Sequence, residues 1–317
     1  MFSFINFIQS ILAKLKKNKG IWFTILTVSS ILGVLISISL MNMMTNDVAK
    51  KTYLEVHRVD VTQLGNILDN RYDSLLSVGG VIAIHPDIIK NIQSKSDQSV
   101  YDILLATETT INKRVNIEPI QVRYYATDFK ASKSENLEYA NLVMDTQTSV
   151  SGIVVNSNGV RIVAITPVND GNRTIGAIEI SQDIVAIKQA FDNLGKEFTF
   201  ILDKSQLVFM DLGTKQGMTQ DISDRYKIFF HDYNPQFFTN LRKIDLDHLQ
   251  RDKYFVDHNY FTTVDETVDI DGKVIGLFLI GESAQDANSF VNITKNLIGS
   301  VTTVALGLVI SLILFMF

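Results

Sequence analysis

The side chains best suited to chemistry lie in the middle of the chain. Arg123, Tyr125 and Thr127 alternate along one stretch, and Arg161 and Glu179 fall on two later stretches with the same alternation. Successive strand residues point to opposite faces, so the first three share a face, and Arg161 and Glu179 sit on strands close enough in pairing to share one. Guanidinium groups, a phenol, a hydroxyl and a carboxylate near one sheet would orient a small ligand. The planar guanidinium fork suits a ligand carboxylate through two parallel hydrogen bonds, so an anionic ligand is expected. The alternative is an Arg161–Glu179 cross-strand pair at a partly exposed edge, which contributes little.

Other chemistries find no support. His57, His85, His231, His248 and His258 are scattered, and none has metal-ligand spacing with another. His231-Asp232 and Asp257-His258 read as surface pairs. Asp265, Asp269 and Asp271 lack the ligand series and closing glutamate of a calcium loop and read as a solvated hairpin. Cysteine is absent, which excludes disulfides, thiol chemistry and thiolate metal sites. There is no glycine-rich phosphate loop, nucleophile elbow or zinc-protease helix. Neither an enzyme, a cofactor nor a metal is expected.

Positioning the five side chains requires strands. Pro119 opens one over Ile120 to Thr127. Ser149 to Val155, Val160 to Val168 and Thr174 to Ser181 alternate with period two around the turns Asn156-Ser157-Asn158-Gly159 and Asn169-Asp170-Gly171-Asn172, predicting an antiparallel meander. Thr166-Pro167 reads as the end of a strand at an edge, where the missing proline N–H does no harm. Helices are predicted over Ser96 to Arg114, Ser134 to Thr146 with Ser134 as cap, and Asp183 to Leu194. Later strands are predicted over Glu197 to Leu202, Gln206 to Met210, Tyr226 to His231, Tyr254 to Val268 and Lys273 to Gly281, the last two joined at Asp269-Ile270-Asp271-Gly272. Gly171-Asn172-Arg173-Thr174-Ile175-Gly176-Ala177-Ile178 is restated as Gly272-Lys273-Val274-Ile275-Gly276-Leu277-Phe278. The repeat predicts two tandem α/β modules, each with an antiparallel sheet, and argues against a parallel doubly wound fold.

The 317 residues are 46% hydrophobic with a mean hydropathy of +0.15, and the apolar excess sits at the two ends. Ile21 to Met44 and Leu297 to Phe317 carry no charge, and each is long enough, at about 1.5 Å per residue, to cross a hydrocarbon core of about 30 Å. Lys14, Lys16, Lys17 and Lys19 precede the first stretch and place the N-terminus in the cytoplasm. Phe2 to Leu15 has the spacing of an interfacial helix, or is a short overhang. Asn46 to Gly79 is proline-free and apolar at helical spacing, a stalk helix ended by Gly79-Gly80 and His85-Pro86. The expected organisation is a cytoplasmic segment 1–20, a span 21–44, a stalk 45–79, a membrane-distal module 80–194, a membrane-proximal module 195–283, a connecting helix 284–296 and a second span 297–317, with 45–296 outside the cytoplasm. The net charge of −5 implies no nucleic-acid partner.

This order, together with Ser151-Gly152-Ile153, Arg161-Ile162-Val163-Ala164-Ile165-Thr166-Pro167-Val168 and Ile175-Gly176-Ala177-Ile178-Glu179, resembles the double Cache family. These are PAS-like extracytoplasmic sensor domains of bacterial chemoreceptors, sensor histidine kinases and diguanylate cyclases. The resemblance implies an α+β fold of two tandem PAS-like modules with antiparallel sheets and a long N-terminal helix, flanked by two transmembrane helices. It implies an inner-membrane receptor with a periplasmic sensor region, a small-molecule ligand in the distal module, relay to the second span and a homodimer with paired stalks, with chemotaxis as the favoured output. The tryptophan-tyrosine pair of the family's amino-acid sensors is missing, since the only tryptophan is Trp22 in the first span. Receptors of this kind continue past the point where Phe317 stands, so the chain is expected to be a sensor fragment or to signal through a membrane partner. The competing expectation is a two-span scaffold whose outer domain binds a periplasmic protein.

Overall fold

The computed structural model describes residues 19–114, 119–127, 136–217, 220–229 and 234–315. Phe2 to Leu15, Ser134 and His231 lie outside the described residues. Val56–Gln285 form one compact unit, and the segments before and after it form another.

A single helix, α1 (Lys19–Ala83), takes in both the first apolar stretch and the stalk. No proline interrupts it. Among the described residues it alone is long and apolar enough to cross a membrane, with a hydropathy of 1.7 in its apolar window. Gly79-Gly80 does not end it, contrary to expectation. A Cβ on Gly79 would lie 2.9 Å from the Thr166 hydroxyl, so the glycine lets the helix press against a strand. The stop comes at His85-Pro86. His85 caps a short helix the sequence had not shown, α2 (Pro86–Gln93), accepting the Asp87 N–H at 3.3 Å with Pro86 in the first turn. Helix α3 (Asp97–Arg114) follows.

The first sheet contains β1 (Ile120–Ala126), then, after α4 (Leu137–Thr146), β2 (Val150–Asn156), β3 (Gly159–Asp170) and β4 (Arg173–Asp183), in the antiparallel order β1-β4-β3-β2. One face meets Leu75 and Ile82 of α1, Ile88 of α2 and Leu104 of α3. The other carries Tyr125, Val154, Val163, Ile165 and Ala177 beneath Tyr139, Ala140 and Val143 of α4. Pro167 lies on an inner strand, not at a sheet edge. It is tolerated because β2 stops pairing at Val150 opposite Ile165, leaving β3 locally open on that side.

After α5 (Val185–Asp192), a second antiparallel sheet contains β5 (Glu197–Asp203), β6 (Tyr226–Ile228), β7 (Tyr254–Val256), β8 (Tyr260–Val268) and β9 (Val274–Ser283), in the order β6-β5-β9-β8-β7. Two strand assignments change. Gln206 to Met210 falls largely in a 3-10 helix (Lys204–Phe209), started by Asp203 accepting the Ser205 N–H at 2.9 Å. Tyr254 to Val268 is a hairpin, because the Asp257 carboxylate accepts the N–H groups of Asn259 and Tyr260, each at 2.7 Å, and folds the chain back. Helices α6 (Leu212–Gly217), α7 (Pro235–Leu241) and α8 (Leu246–Asp252) escaped the pattern reading because each is about two turns or fewer. Helix α9 (Ala284–Phe315) continues directly from β9.

The internal repeat is physical. Gly176 lies opposite Ala126, and a Cβ there would come within 2.6 Å of the Tyr124 ring and 2.7 Å of the Tyr125 carbonyl. Gly276 lies opposite Leu202 and would meet the Phe200 ring at 2.7 Å and the Ile201 carbonyl at 2.3 Å. Each module folds an aromatic ring from its neighbouring strand across the same glycine.

Helix α1 covers the second sheet as well, with Leu64 among Phe198, Phe200, Phe278 and Ile280. Beside this apolar contact lies a polar one. Asp60, fully buried, pairs with Lys196 and accepts from the Thr263 hydroxyl at 3.3 Å, and Lys196 also reaches Glu282 at 3.1 Å. In the other unit the Tyr53 hydroxyl donates to the Asn288 side chain.

Candidate functional site

The face of the first sheet beneath α4 gathers three of the five expected side chains into one region. Arg123 stands directly opposite Glu179, and Glu179 directly opposite Ile165. Tyr125, two positions along β1, turns its hydroxyl to donate to Glu179 Oε2 at 2.7 Å. Asn136, at the start of α4, donates to the same oxygen at 3.0 Å. Asn136 holds the left-handed conformation (φ 62°), which asparagine tolerates better than most residues. Tyr125 and Glu179 are each only 1% exposed, while Arg123 is half-buried. Glu179 Oε1 is buried and has no hydrogen-bond partner among the described residues. A carboxylate in this position lacks a donor, and a ligand that brings one would complete it.

The other two expected residues are not part of this group. Arg161 is opposite Asp183, with its Nη1 3.9 Å from Asp183 Oδ2 and its Nη2 3.4 Å from the Ser181 hydroxyl. The expected Arg161–Glu179 cross-strand pair therefore does not form, because the register sets Glu179 opposite Ile165, four pairs further along the strand. Thr127 is exposed in a turn just past β1. Arg123 also borders a shallow groove of about 270 Å³ with Glu108 of α3, whose Oε2 accepts the Val122 N–H at 2.8 Å.

Asn136 has a second neighbourhood, a cleft of about 840 Å³ where the two sheets meet. Tyr139 of α4 and Asp271 and Lys273 of the β8–β9 turn line it, and the Tyr139 hydroxyl donates to Asp271 Oδ2 at 2.7 Å. Burial, followed by this bond to Asp271, holds the Tyr139 phenol well above the ordinary tyrosine range. The Ile270 N–H donates to the Ile153 carbonyl at 3.0 Å, and a Cβ on Gly152 would lie 2.5 Å from Ile270 Cγ1. The tip expected to be a solvated hairpin thus docks on the first sheet. A second tie runs from the β2–β3 turn, where the Ser157 carbonyl accepts from Asp211 N at 3.0 Å and the Thr214 hydroxyl at 2.8 Å. Among the described residues no three histidine, aspartate or glutamate side chains gather as a metal site requires.

Sequence reasoning missed Asn136 and the hairpin tip. The available signals were an asparagine before a helix and Ile270, an apolar residue at the centre of an otherwise polar turn.

No protein-family model matches the chain, and no curated protein matches it. Among solved structures, it is similar to the sensor domain of the V. cholerae histidine kinase DctB, at 11% identity and a TM-score of 0.40, over 74% of this chain and 98% of that one. It is similar to a domain of a sensory box/GGDEF family protein from Vibrio parahaemolyticus, at 12% identity and a TM-score of 0.44, over 76% and 99%. It is also similar to the ligand-binding domain of the Campylobacter jejuni chemoreceptor Tlp3, determined with L-valine, at 10% identity and a TM-score of 0.44, over 78% and 98%.

Proposed function

We propose that the chain is the extracytoplasmic sensor region of a transmembrane signalling receptor and binds a small molecule on the first sheet beneath α4. The observation that carries this reading is Glu179, a buried carboxylate whose Oε2 is held by Tyr125 and Asn136 and whose Oε1 has no described partner. The role is binding, not catalysis. The buried group here is an anion, so a ligand bearing an amine or another strong donor suits it better than the anionic ligand that Arg123 and Arg161 suggested. Arg123, opposite Glu179, would take an acceptor on the same ligand.

The relay follows from chain continuity. The hairpin tip at Ile270 touches β2, two strands from Glu179 in the same sheet, β9 leaves that hairpin, and β9 runs without a break into α9. A ligand that favours one docking of the tip over another biases α9 by its differential affinity, usually about 1–3 kcal/mol. The proposed topology has α1 and α9 crossing the inner membrane, with a cytoplasmic N-terminus and the intervening residues periplasmic. The proposed assembly is a homodimer, and the output, through a cytoplasmic or membrane signalling partner, is chemoreceptor-like, with a kinase or a cyclase as its variants.

The test is a thermal-shift screen of the full chain in nanodiscs against small amines, carboxylates and nucleobases. A ligand at about 100 times its Kd adds about 2.7 kcal/mol of stability. The expected result is an amine-bearing hit whose affinity falls about tenfold or more in Glu179→Gln, the loss of one charge-assisted bond. A hit indifferent to Glu179→Gln but lost in Arg123→Ala would instead restore the anionic ligand. One observation favours a second reading, a scaffold for a periplasmic protein: Val208, Phe209 and Leu212 are 73%, 53% and 70% exposed and close in sequence. No hit across the panel would shift the choice to that reading.

A further inference from the structure

The second sheet has a cleft of its own, on the face turned away from α1. It holds about 870 Å³, within the usual range of about 300–1,000 Å³ for small-molecule sites. Glu197 and Gly281, directly opposite each other on β5 and β9, form part of its wall, and Tyr260 of β8 and Gln236 and Asn240 of α7 form more. Gly281 makes the close approach of α7 possible. A Cβ there would lie 2.3 Å from the Phe237 ring, so any larger residue would push the helix off the sheet and open the cleft. Asn234 caps α7 through its Oδ1 and with its Nδ2 donates to Glu197 Oε1 at 2.7 Å, which fixes the carboxylate in place.

Asn240 points to an occupant. It is 6% exposed, lines the cleft, and its Nδ2 is buried with no hydrogen-bond partner among the described residues. A buried amide donor left empty bears its full desolvation cost, which an acceptor on a ligand would remove. The surrounding chemistry restricts what that ligand is. The carboxylates bordering the cleft are Glu197 and Glu282, the second paired with Lys196 at 3.1 Å, and Lys243 supplies a cation. Both signs of charge border the cleft, so neither a cationic nor an anionic ligand is favoured by it. Gln236, Asn240 and Gln285 each offer a donor and an acceptor side by side, and Glu197 offers a pair of acceptors. Paired donors and acceptors match vicinal hydroxyl groups, and the Tyr260 ring offers an apolar surface to C–H groups.

We propose that the second sheet carries an additional binding site for a neutral polyhydroxylated solute of monosaccharide size, in the cleft between β5, β8, β9 and α7. It is separate from the Glu179 site and does not depend on it. Glu197, Gln236 and Asn240 make the hydrogen bonds, and Tyr260 packs against the carbon skeleton. The cleft also borders Ser283 and Gln285, where β9 becomes α9, so occupancy bears on the same element that leaves the sensor.

The test is titration of the full chain in nanodiscs with D-glucose, D-galactose, D-ribose and myo-inositol, read by saturation-transfer NMR and calorimetry. At least one should bind, with affinity reduced about tenfold in Asn240→Ala and in Gln236→Ala, one hydrogen bond each. Gln236 is exposed, so its variant keeps the test independent of folding. Absence of binding by all of these solutes overturns the proposal. So does binding that survives Gln236→Ala and is abolished by Glu179→Gln, which would move the ligand to the first sheet.

Discussion

Asp60 and Lys196 show at the residue scale how much depends on single buried charges. Asp60 is fully buried on α1, and Lys196 sits just before β5 with its side chain 16% exposed. Burial alone would lower the Lys196 pKa, but Asp60 and Glu282 outweigh it and raise the value, so the amine stays charged. Removing the cation leaves the buried Asp60 carboxyl without its ion-pair partner. Lys196→Met is therefore expected to destabilise the fold by about 3–5 kcal/mol in chemical denaturation, well beyond the loss of an exposed pair. A change within about 1 kcal/mol would show that water reaches Asp60.

At the scale of elements, the contact between α1 and β8 is set by groups that ionise poorly. The Asp265 carboxyl is raised above its ordinary range, chiefly by burial, with His57 and Lys253 pulling it back. The His57 imidazole is lowered, again chiefly by burial, although Asp265 pulls it up. His57 Nδ1 is buried with no hydrogen-bond partner among the described residues. A carboxyl with a raised folded-state pKa contributes full stability only below its unfolded value of about 3.9, and loses it as pH rises through the folded value. A histidine with a depressed pKa contributes above about 6.5 and loses that as pH falls through its folded value. The two residues thus pull in opposite directions in adjoining windows. Asp265→Asn should raise the thermal midpoint near pH 7 and flatten the decline that sets in as pH rises above about 4, in melts taken from acid to neutral pH. An unchanged profile would mean that Asp265 titrates as in the unfolded chain.

At the scale of the whole molecule, the β8–β9 tip is one of the ties between the two sheets. Ile270 is half-buried there, and truncating it removes packing that only this docking supplies. Ile270→Ala is expected to cost about 1–2 kcal/mol, less than a fully buried isoleucine. It should also raise hydrogen exchange at residues 150–156 and 269–272 together. Faster exchange in only one of the two segments would show that they open independently. For the assembly, cysteine pairs placed along α1 in this cysteine-free chain should crosslink in membranes to a dimer. Recovery of monomer alone would remove the paired-stalk arrangement.

The sequence by itself determined the elements that local patterning encodes. Alternation marked β2, β3 and β4, the glycine turns marked their order, and the Ile-Gly repeat at Gly176 and Gly276 marked two related sheets before any coordinates. That Tyr125 and Glu179 share a sheet face was legible because period-two spacing is a property of the strand alone. The tertiary structure decided what depends on register and on distant packing. It set Arg161 against Asp183 and not against Glu179, a choice that a shift of four residues between β3 and β4 would reverse without altering any local pattern. It carried α1 through Gly79-Gly80, where a strand far away in sequence comes close enough to need the missing side chain of Gly79. It drew Asn136 to Glu179 and the tip at Ile270 to Gly152, contacts between segments whose own sequences indicate only a helix start and a turn.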